Sequence, residues 1–305
     1  MAQNRRLGLA LGGGGARGLA HVGVIQTLAQ AGVEVGAVSG TSIGAVAGAG
    51  LALGQGPQEM MQIFDRFIHS ELYQTANLDR IKALTAKAEE DSLASRIGIF
   101  IRRSLLQGKI VTSGGLIEPR LFARIIDFLI PAADYSQTRL PFVCAALNLT
   151  TGMPRLFGEG PLRPAVRAST AVPGAVWPVE IDGQLYCDGG TVMMAPVRPL
   201  KAMGAEVVVA VDISREMGRD WECGGALDVV IRTADAAASE LNRHQLEEAD
   251  LIIKPKVEAF HWTDFEAGKE IFNLGRQAAQ ARLAEIKDLI RRRWWRGFSL
   301  RSVRG

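Results

Sequence analysis

Through its first third the chain alternates short apolar runs with stretches of helical periodicity. Leu7–Leu11 is an apolar run that stops at four glycines, which predicts a buried strand. From Gly18 to Ala31, Leu19, Val22, Ile25 and Leu28 recur at helical spacing, and Gly32 supplies a stop. Val35–Ser39 reads as a second strand. Ile43–Leu53, rich in Ala and Gly, reads as a helix able to lie close against a sheet. Strand–helix–strand–helix at these lengths predicts parallel strands with right-handed crossovers.

Later runs, Pro141–Leu147, Glu206–Val211 and Leu251–Ile253, are apolar without polar alternation, as strands covered on both faces should be. Long helical patterns cover Ala226–Glu248 and Phe265–Arg293. The stretch of about 70–114 breaks this rhythm. It is polar and helical, with Leu93, Ile97, Ile101 and Leu105 every four residues among arginines, and reads as a cap or as simple core packing. Without repeats or low-complexity linkers, the expectation is one three-layer α/β/α domain over 1–305 with a mostly parallel sheet. Its core would span about 7–212, followed by a helical region, 226–305.

Composition narrows the class. At 305 residues and 48% hydrophobic, the chain can bury a substantial core. No run reaches the roughly 18 apolar residues of a membrane span, and the start lacks a signal-peptide core. This predicts a cytoplasmic protein, with any membrane contact made from the inner face. Cys144, Cys187 and Cys223 show no metal-ligand spacing, and none of the four histidines sits in a zinc motif. The net charge of +3 is uneven: Arg291–Gly305 holds six arginines, no acid, and Trp294, Trp295 and Phe298. Such a tail suits either an anionic lipid surface or a solvated helix end. No nucleic-acid motif accompanies it.

The chemistry concentrates in the first fifty residues. Gly40-Thr41-Ser42-Ile43-Gly44 joins a strand to a helix with a serine at the apex, the pattern of a strained turn that exposes Ser42 Oγ. The Ile43 N–H, at the positive end of the following helix, is one candidate oxyanion donor. Gly13-x-Gly15-x-x-Gly18 after a strand also fits a dinucleotide fingerprint, but that motif expects an acid at the end of the second strand, where this chain has Ser39-Gly40-Thr41-Ser42. No Walker lysine follows either. An oxyanion cradle from the amides of Gly13, Gly14 and Gly15 fits better. Arg17 would hold that loop or meet an anionic substrate.

A serine nucleophile needs a base. An α/β-hydrolase order would use a late histidine, His244 or His261. The alternative is Asp188, ahead of Gly189-Gly190, whose carboxylate in a dry cleft could take the serine proton directly.

Taken together and in this order, Gly13-x-Gly15-x-x-Gly18, Gly40-x-Ser42-x-Gly44 and Asp188-Gly189-Gly190 resemble the patatin-like phospholipase family. Arg167–Gly174 matches the family's segment upstream of its aspartate, and Asn148 follows a strand as the family's pattern expects. The likeness covers about 7–212 and is strongest to the compact bacterial branch related to neuropathy-target-esterase-type lysophospholipases. It implies a patatin-like fold and hydrolysis of lipid acyl esters by a Ser-Asp dyad, with no metal or organic cofactor. Ser42 would be the nucleophile and Asp188 its base, with Gly13, Gly14 and Gly15 as the oxyanion hole. The implied partner is a lipid substrate; the composition of Arg291–Gly305 makes it a candidate for peripheral membrane contact, and no nucleic-acid partner is expected. A low-turnover scaffold that keeps the fold is the rival function.

Overall fold

The computed structural model describes residues 7–77, 117–217, 223 and 226–301. Among these residues eight strands form one sheet: β1 (Leu7–Leu11), β2 (Ala37–Thr41), β3 (Phe142–Asn148), β4 (Pro154–Phe157), β5 (Val179–Ile181), β6 (Gln184–Asp188), β7 (Val207–Val211) and β8 (Leu251–Ile253). β3, β2, β1, β7 and β8 lie side by side in that order, all parallel. β4 and β6 pair antiparallel with β3, and β5 pairs antiparallel with β6.

The described helices are α1 (Leu19–Gln30), α2 (Ile43–Leu53), α3 (Pro57–Ile68), α4 (Glu71–Ala76), α5 (Pro119–Leu129), α6 (Leu162–Thr170), α7 (Val197–Ala202), α8 (Ala226–Leu246) and α9 (Gly268–Arg301). Their placement follows from the two-residue period of the strands. Leu7, Leu9 and Leu11 of β1 and Val207, Val209 and Val211 of β7 face the larger core, with α1, α2 and α9. Ala10, Ala37, Val208 and Ala210 face the smaller core under α7. Large residues on one face and small ones on the other let α7 sit close. The result is the three-layer architecture with a mostly parallel sheet that the strand rhythm predicts.

The chain leaves β1 toward β2 and β3, then returns to the other side of β1 as β7 and β8. β1 therefore stands at a topological switch point, and in such sheets the crevice beyond the carboxyl ends of the strands is the usual ligand site. The glycine loop lies there.

Several elements depart from expectation. β2 starts two residues later than predicted, because its ladder pairs Gly8 with Ala37 and Leu11 with Gly40. β4, β5, α3, α5 and α6 stand outside the expected elements. The expected cap and the Leu93–Leu105 stripe lie outside the described residues, apart from 70–77. In the basic tail α9 runs on to Arg301, and Arg291, Arg292 and Arg293 pair with Asp288 and Asp250. These exposed pairs add little stability, but they leave less unpaired charge than composition implies. No helix among the described residues is long and apolar enough to cross a membrane.

Candidate active site

Ser42 caps the N-terminus of α2 with φ 56° and ψ −126°, a left-handed conformation strained for any residue but glycine. The turn is this tight because backbone crosses backbone. A Cβ on Gly44 would stand 2.1 Å from Leu11 O, and one on Gly40 would stand 2.2 Å from Gly44 O. Ser42 is 7% exposed, and its N–H donates to Ser169 Oγ at 3.0 Å.

Strand register brings Asp188 to it. On β3, Ala145 pairs with Thr41 and Ala146 pairs with Asp188. β4 occupies the other edge of β3 at these same positions, so β2 and β6 share one edge and meet end to end. Ser42 follows Thr41, and the two candidate residues converge where the strands meet. The end of α6 bridges them: Ser169 Oγ receives Ser42 N–H and donates to Ala145 O, while Asp188 N–H donates to Ala171 O at 2.8 Å. The segment after Asp188 is tied back as well. Ser39 and Thr41 hydroxyls donate to Pro196 and Met193 carbonyls, each at 2.6 Å, and Gln245 of α8 donates to Val192 O.

Asp188 is 2% exposed. Its Oδ1 accepts the Gly190 N–H at 2.8 Å. Its Oδ2 is buried and has no partner at full hydrogen-bond geometry among the described residues, and the Ser42 hydroxyl acts to lower the carboxyl pKa. Catalytic hydrogen bonds are often loose before substrate arrives. Burial pushes the Asp188 pKa up to about 6, partly countered by Ser42 and the Gly190 N–H. Gly189 packs on Ala145 O, where a Cβ would stand at 2.5 Å.

The glycine loop divides its labour differently from the sequence reading. Gly13 N–H is engaged, donating to Met194 O at 3.1 Å, so Gly13 is removed from the expected set of oxyanion donors. It matters by closeness instead: a Cβ there would lie 3.3 Å from Ser42 Cβ. The N–H groups of Gly14, Gly15 and Ile43 have no backbone or side-chain acceptor among the described residues. Gly15, at φ 60°, lines the same cavity as Ser42 and Ile43. Arg17 is buried and donates through Nε to Gly14 O, so it holds the loop. Gly18 abuts the Ile43 side chain.

Three supports escaped the sequence reading. His21 is fully buried and its Nε2–H donates to Gly12 O at 2.8 Å. Burial lowers its pKa to about 4, so the ring is neutral at physiological pH and pins the end of β1. A histidine inside the apolar run Leu19–Val24 was the available signal. Trp262 O accepts the Ala16 N–H at 2.7 Å and walls in Gly15. Ser169 was legible as the one hydroxyl on the apolar stripe Leu162, Ala165, Val166, Ser169. Ser169→Ala should cost about 1–3 kcal/mol in denaturant unfolding, by stranding the Ser42 N–H, and lower kcat at least about tenfold through misplacement of Ser42.

Neither candidate histidine lines the Ser42 cavity. His244 is exposed on α8 between Glu240 and Glu247, and His261 Nδ1 pairs with Thr263 Oγ1 at 2.6 Å. Asn148 caps its own turn, accepting from Thr150 and Thr151 N–H.

Ser42 opens into a cavity of about 190 Å³ lined mainly by apolar side chains of α1, α2, α3 and α5, with Gln55 and Thr170 as further polar groups. Such a space accepts hydrocarbon and offers almost no partners to a charged ligand.

A family model described as patatin-like phospholipase matches residues 9–201. The chain is 34% identical over 209 residues to an uncharacterized NTE family protein of Mycobacterium tuberculosis, covering 68% of this chain and 49% of that protein. It is 32% identical over 212 residues to a lysophospholipase of Aspergillus fumigatus, covering 68% of this chain and 12% of that one. The chain thus spans half or less of the length of these curated relatives. Among solved structures it is similar to the ExoU–SpcU complex from the type III secretion system of Pseudomonas aeruginosa. That likeness has 14% identity and a TM-score of 0.45, covering 92% of this chain and 52% of that one.

Proposed function

The chain belongs to the patatin-like phospholipase family, and from that premise we propose that it is a serine hydrolase of lipid acyl esters, phospholipid or lysophospholipid, working through Ser42 and Asp188. The observation that carries this reading is a strained serine that lines an apolar cavity and meets, through strand register, a buried carboxylate oxygen with no fully formed hydrogen bond among the described residues.

The reaction follows from those positions. Asp188, ionised above a pKa of about 6, takes the Ser42 proton on Oδ2 as Oγ attacks the ester carbonyl. The developing oxyanion is received by the free N–H groups of Gly14, Gly15 and Ile43, each worth about 2.7–4 kcal/mol in the transition state if it behaves as oxyanion-hole donors usually do. Collapse breaks the ester bond, and Asp188 returns its proton to the leaving alcohol. Water, deprotonated by Asp188, then attacks the acyl-Ser42 ester; the bond from Oγ to the acyl carbon breaks, Asp188 returns the proton to Ser42 Oγ, and the fatty acid leaves. Raising the carboxyl pKa makes Asp188 a stronger base than an ordinary aspartate while leaving it ionised at neutral pH. Peripheral contact of the Arg291–Gly305 tail with anionic headgroups belongs to the same proposal.

The test is fatty-acid release from vesicles of phosphatidylcholine and, separately, from lysophosphatidylcholine. Release that continues over many turnovers supports the hydrolase. Absence of release from both, with folded protein, favours the scaffold.

A further inference from the structure

The cavity has a direction. Ile43, Val46 and Gly50 of α2 all line it, and they recur on one face of the helix that starts at Ser42. The cavity therefore runs along α2, away from the serine. Along α2 the last residue to line it is Gly50, which meets the side chains of Gln55 and Met60, and these line the cavity too.

Gly50 differs from Gly44, and unlike Gly48 it lines the cavity. Gly44 is required by a backbone carbonyl, since a Cβ there would stand 2.1 Å from Leu11 O. At Gly50 a Cβ would meet only side-chain tips, Gln55 Oε1 at 2.7 Å and Met60 Cε at 3.2 Å. No backbone approach demands glycine here, and a glycine inside a helix costs roughly 0.5–1 kcal/mol relative to alanine. What its missing side chain provides is room for the Gln55 and Met60 side chains to close against the helix and form a floor to the cavity.

We propose that this floor of Gly50, Gln55 and Met60 sets the length of acyl chain the cavity accepts, with an optimum near ten carbons. The proposal rests on the hydrolase reading for its ester substrate and adds the chain-length determinant. Eight residues of helix from Ser42 to Gly50 span about 12 Å. An extended chain advances about 1.2 Å per bond, since three backbone bonds cover about 3.6 Å. The distance therefore holds about ten bonds of hydrocarbon.

Two readouts separate this claim from the reading beneath it. In the first, calorimetry measures binding of free fatty acids from four to sixteen carbons to the full chain, with no turnover involved. In the second, kcat/KM is measured for p-nitrophenyl esters of the same lengths. Each buried methylene contributes about fourfold in binding, so affinity and kcat/KM should climb to about ten carbons and then fall. Gly50→Leu, which fills the floor, should move both optima at least two carbons shorter and cut the ten-to-four-carbon ratio about tenfold or more. Met60→Ala should move them longer, and this opposite shift keeps the test valid even where one variant folds poorly. Length-selective binding without ester turnover keeps the floor and defeats the hydrolase. Turnover with the same length profile in wild type and both variants defeats the floor and keeps the hydrolase.

Discussion

Ser42→Ala is expected to lower ester hydrolysis by at least about 10⁴-fold, the scale seen when a serine nucleophile that acts as a unit with its base is removed. Assay of kcat/KM on a p-nitrophenyl ester, beside thermal unfolding, checks it. The fold should survive, because the bond that ties the elbow to Ser169 is made by the Ser42 N–H, which alanine keeps. Alanine at φ 56° carries the same backbone strain as serine. Ser42→Gly should therefore be equally inactive yet more stable, by about 1–3 kcal/mol, since glycine removes that strain. Turnover retained in either variant removes Ser42 from the chemistry. Equal stability of the alanine and glycine forms would mean that the elbow stores no strain.

Asp188→Asn should separate activity from stability still more sharply. Activity should fall at least about 10³-fold, because the amide keeps the shape and cannot take a proton. In the wild type, kcat/KM should rise with pH through an apparent pKa near 6, reporting ionisation of the free-enzyme base. Stability should move the other way. The folded-state pKa of Asp188, about 6, lies above the ordinary 3.8, so the folded protein binds more protons than the unfolded chain between those values. Its contribution is fully present below pH 3.8 and lost as pH rises through about 6. Asparagine has no such loss. The variant should thus gain up to about 3 kcal/mol over wild type at pH 7 to 8, a difference of about two pKa units, and the gap should close toward pH 4. His21 acts with the opposite sign. Its folded pKa of about 4 lies below the ordinary 6.5, so the unfolded chain binds the extra proton in that window and stability falls as pH drops from 6.5 to 4. Since His21 is common to both proteins, its effect cancels in the comparison.

Much of the parallel half of the fold is legible in the sequence, because a strand buried on both faces writes itself as an unbroken apolar run. β1, β8 and α2 begin and end where the pattern says. β2 slips by two residues, since Gly40 and Thr41 look like turn residues and only pairing with β1 and β3 makes them strand. β4 and β5 are four and three residues long, and no local pattern announces them. The stripe Phe122, Ile125, Ile126 and Leu129 of α5 stands at helical spacing, but the polar segment that precedes it obscures the pattern.

The candidate site divides in the same way. Ser42 and Asp188 are visible as turn motifs, and their order along the chain carries the family resemblance. What unites them is not visible: it depends on β2 and β6 sharing one edge of β3, a matter of long-range register. Which glycine amides remain free is equally hidden. Nothing in a run of four glycines says that the second is bonded to Met194 O, a residue far along the chain. Ser169 and His21 act through the backbone of other residues, so residue type alone marked neither.

The central claim, that an aspartate activates Ser42 without an imidazole, is tested most directly by the rate and position of fluorophosphonate labelling, read by mass spectrometry of digested protein at pH 8. The account predicts one label per chain, on the peptide carrying Ser42, with the rate falling at least about 10²-fold in Asp188→Asn and staying within about twofold of wild type in His244→Ala, whose side chain lies on the surface of α8. Labelling of another residue, or an Asp188→Asn protein that labels at the wild-type rate, would contradict it.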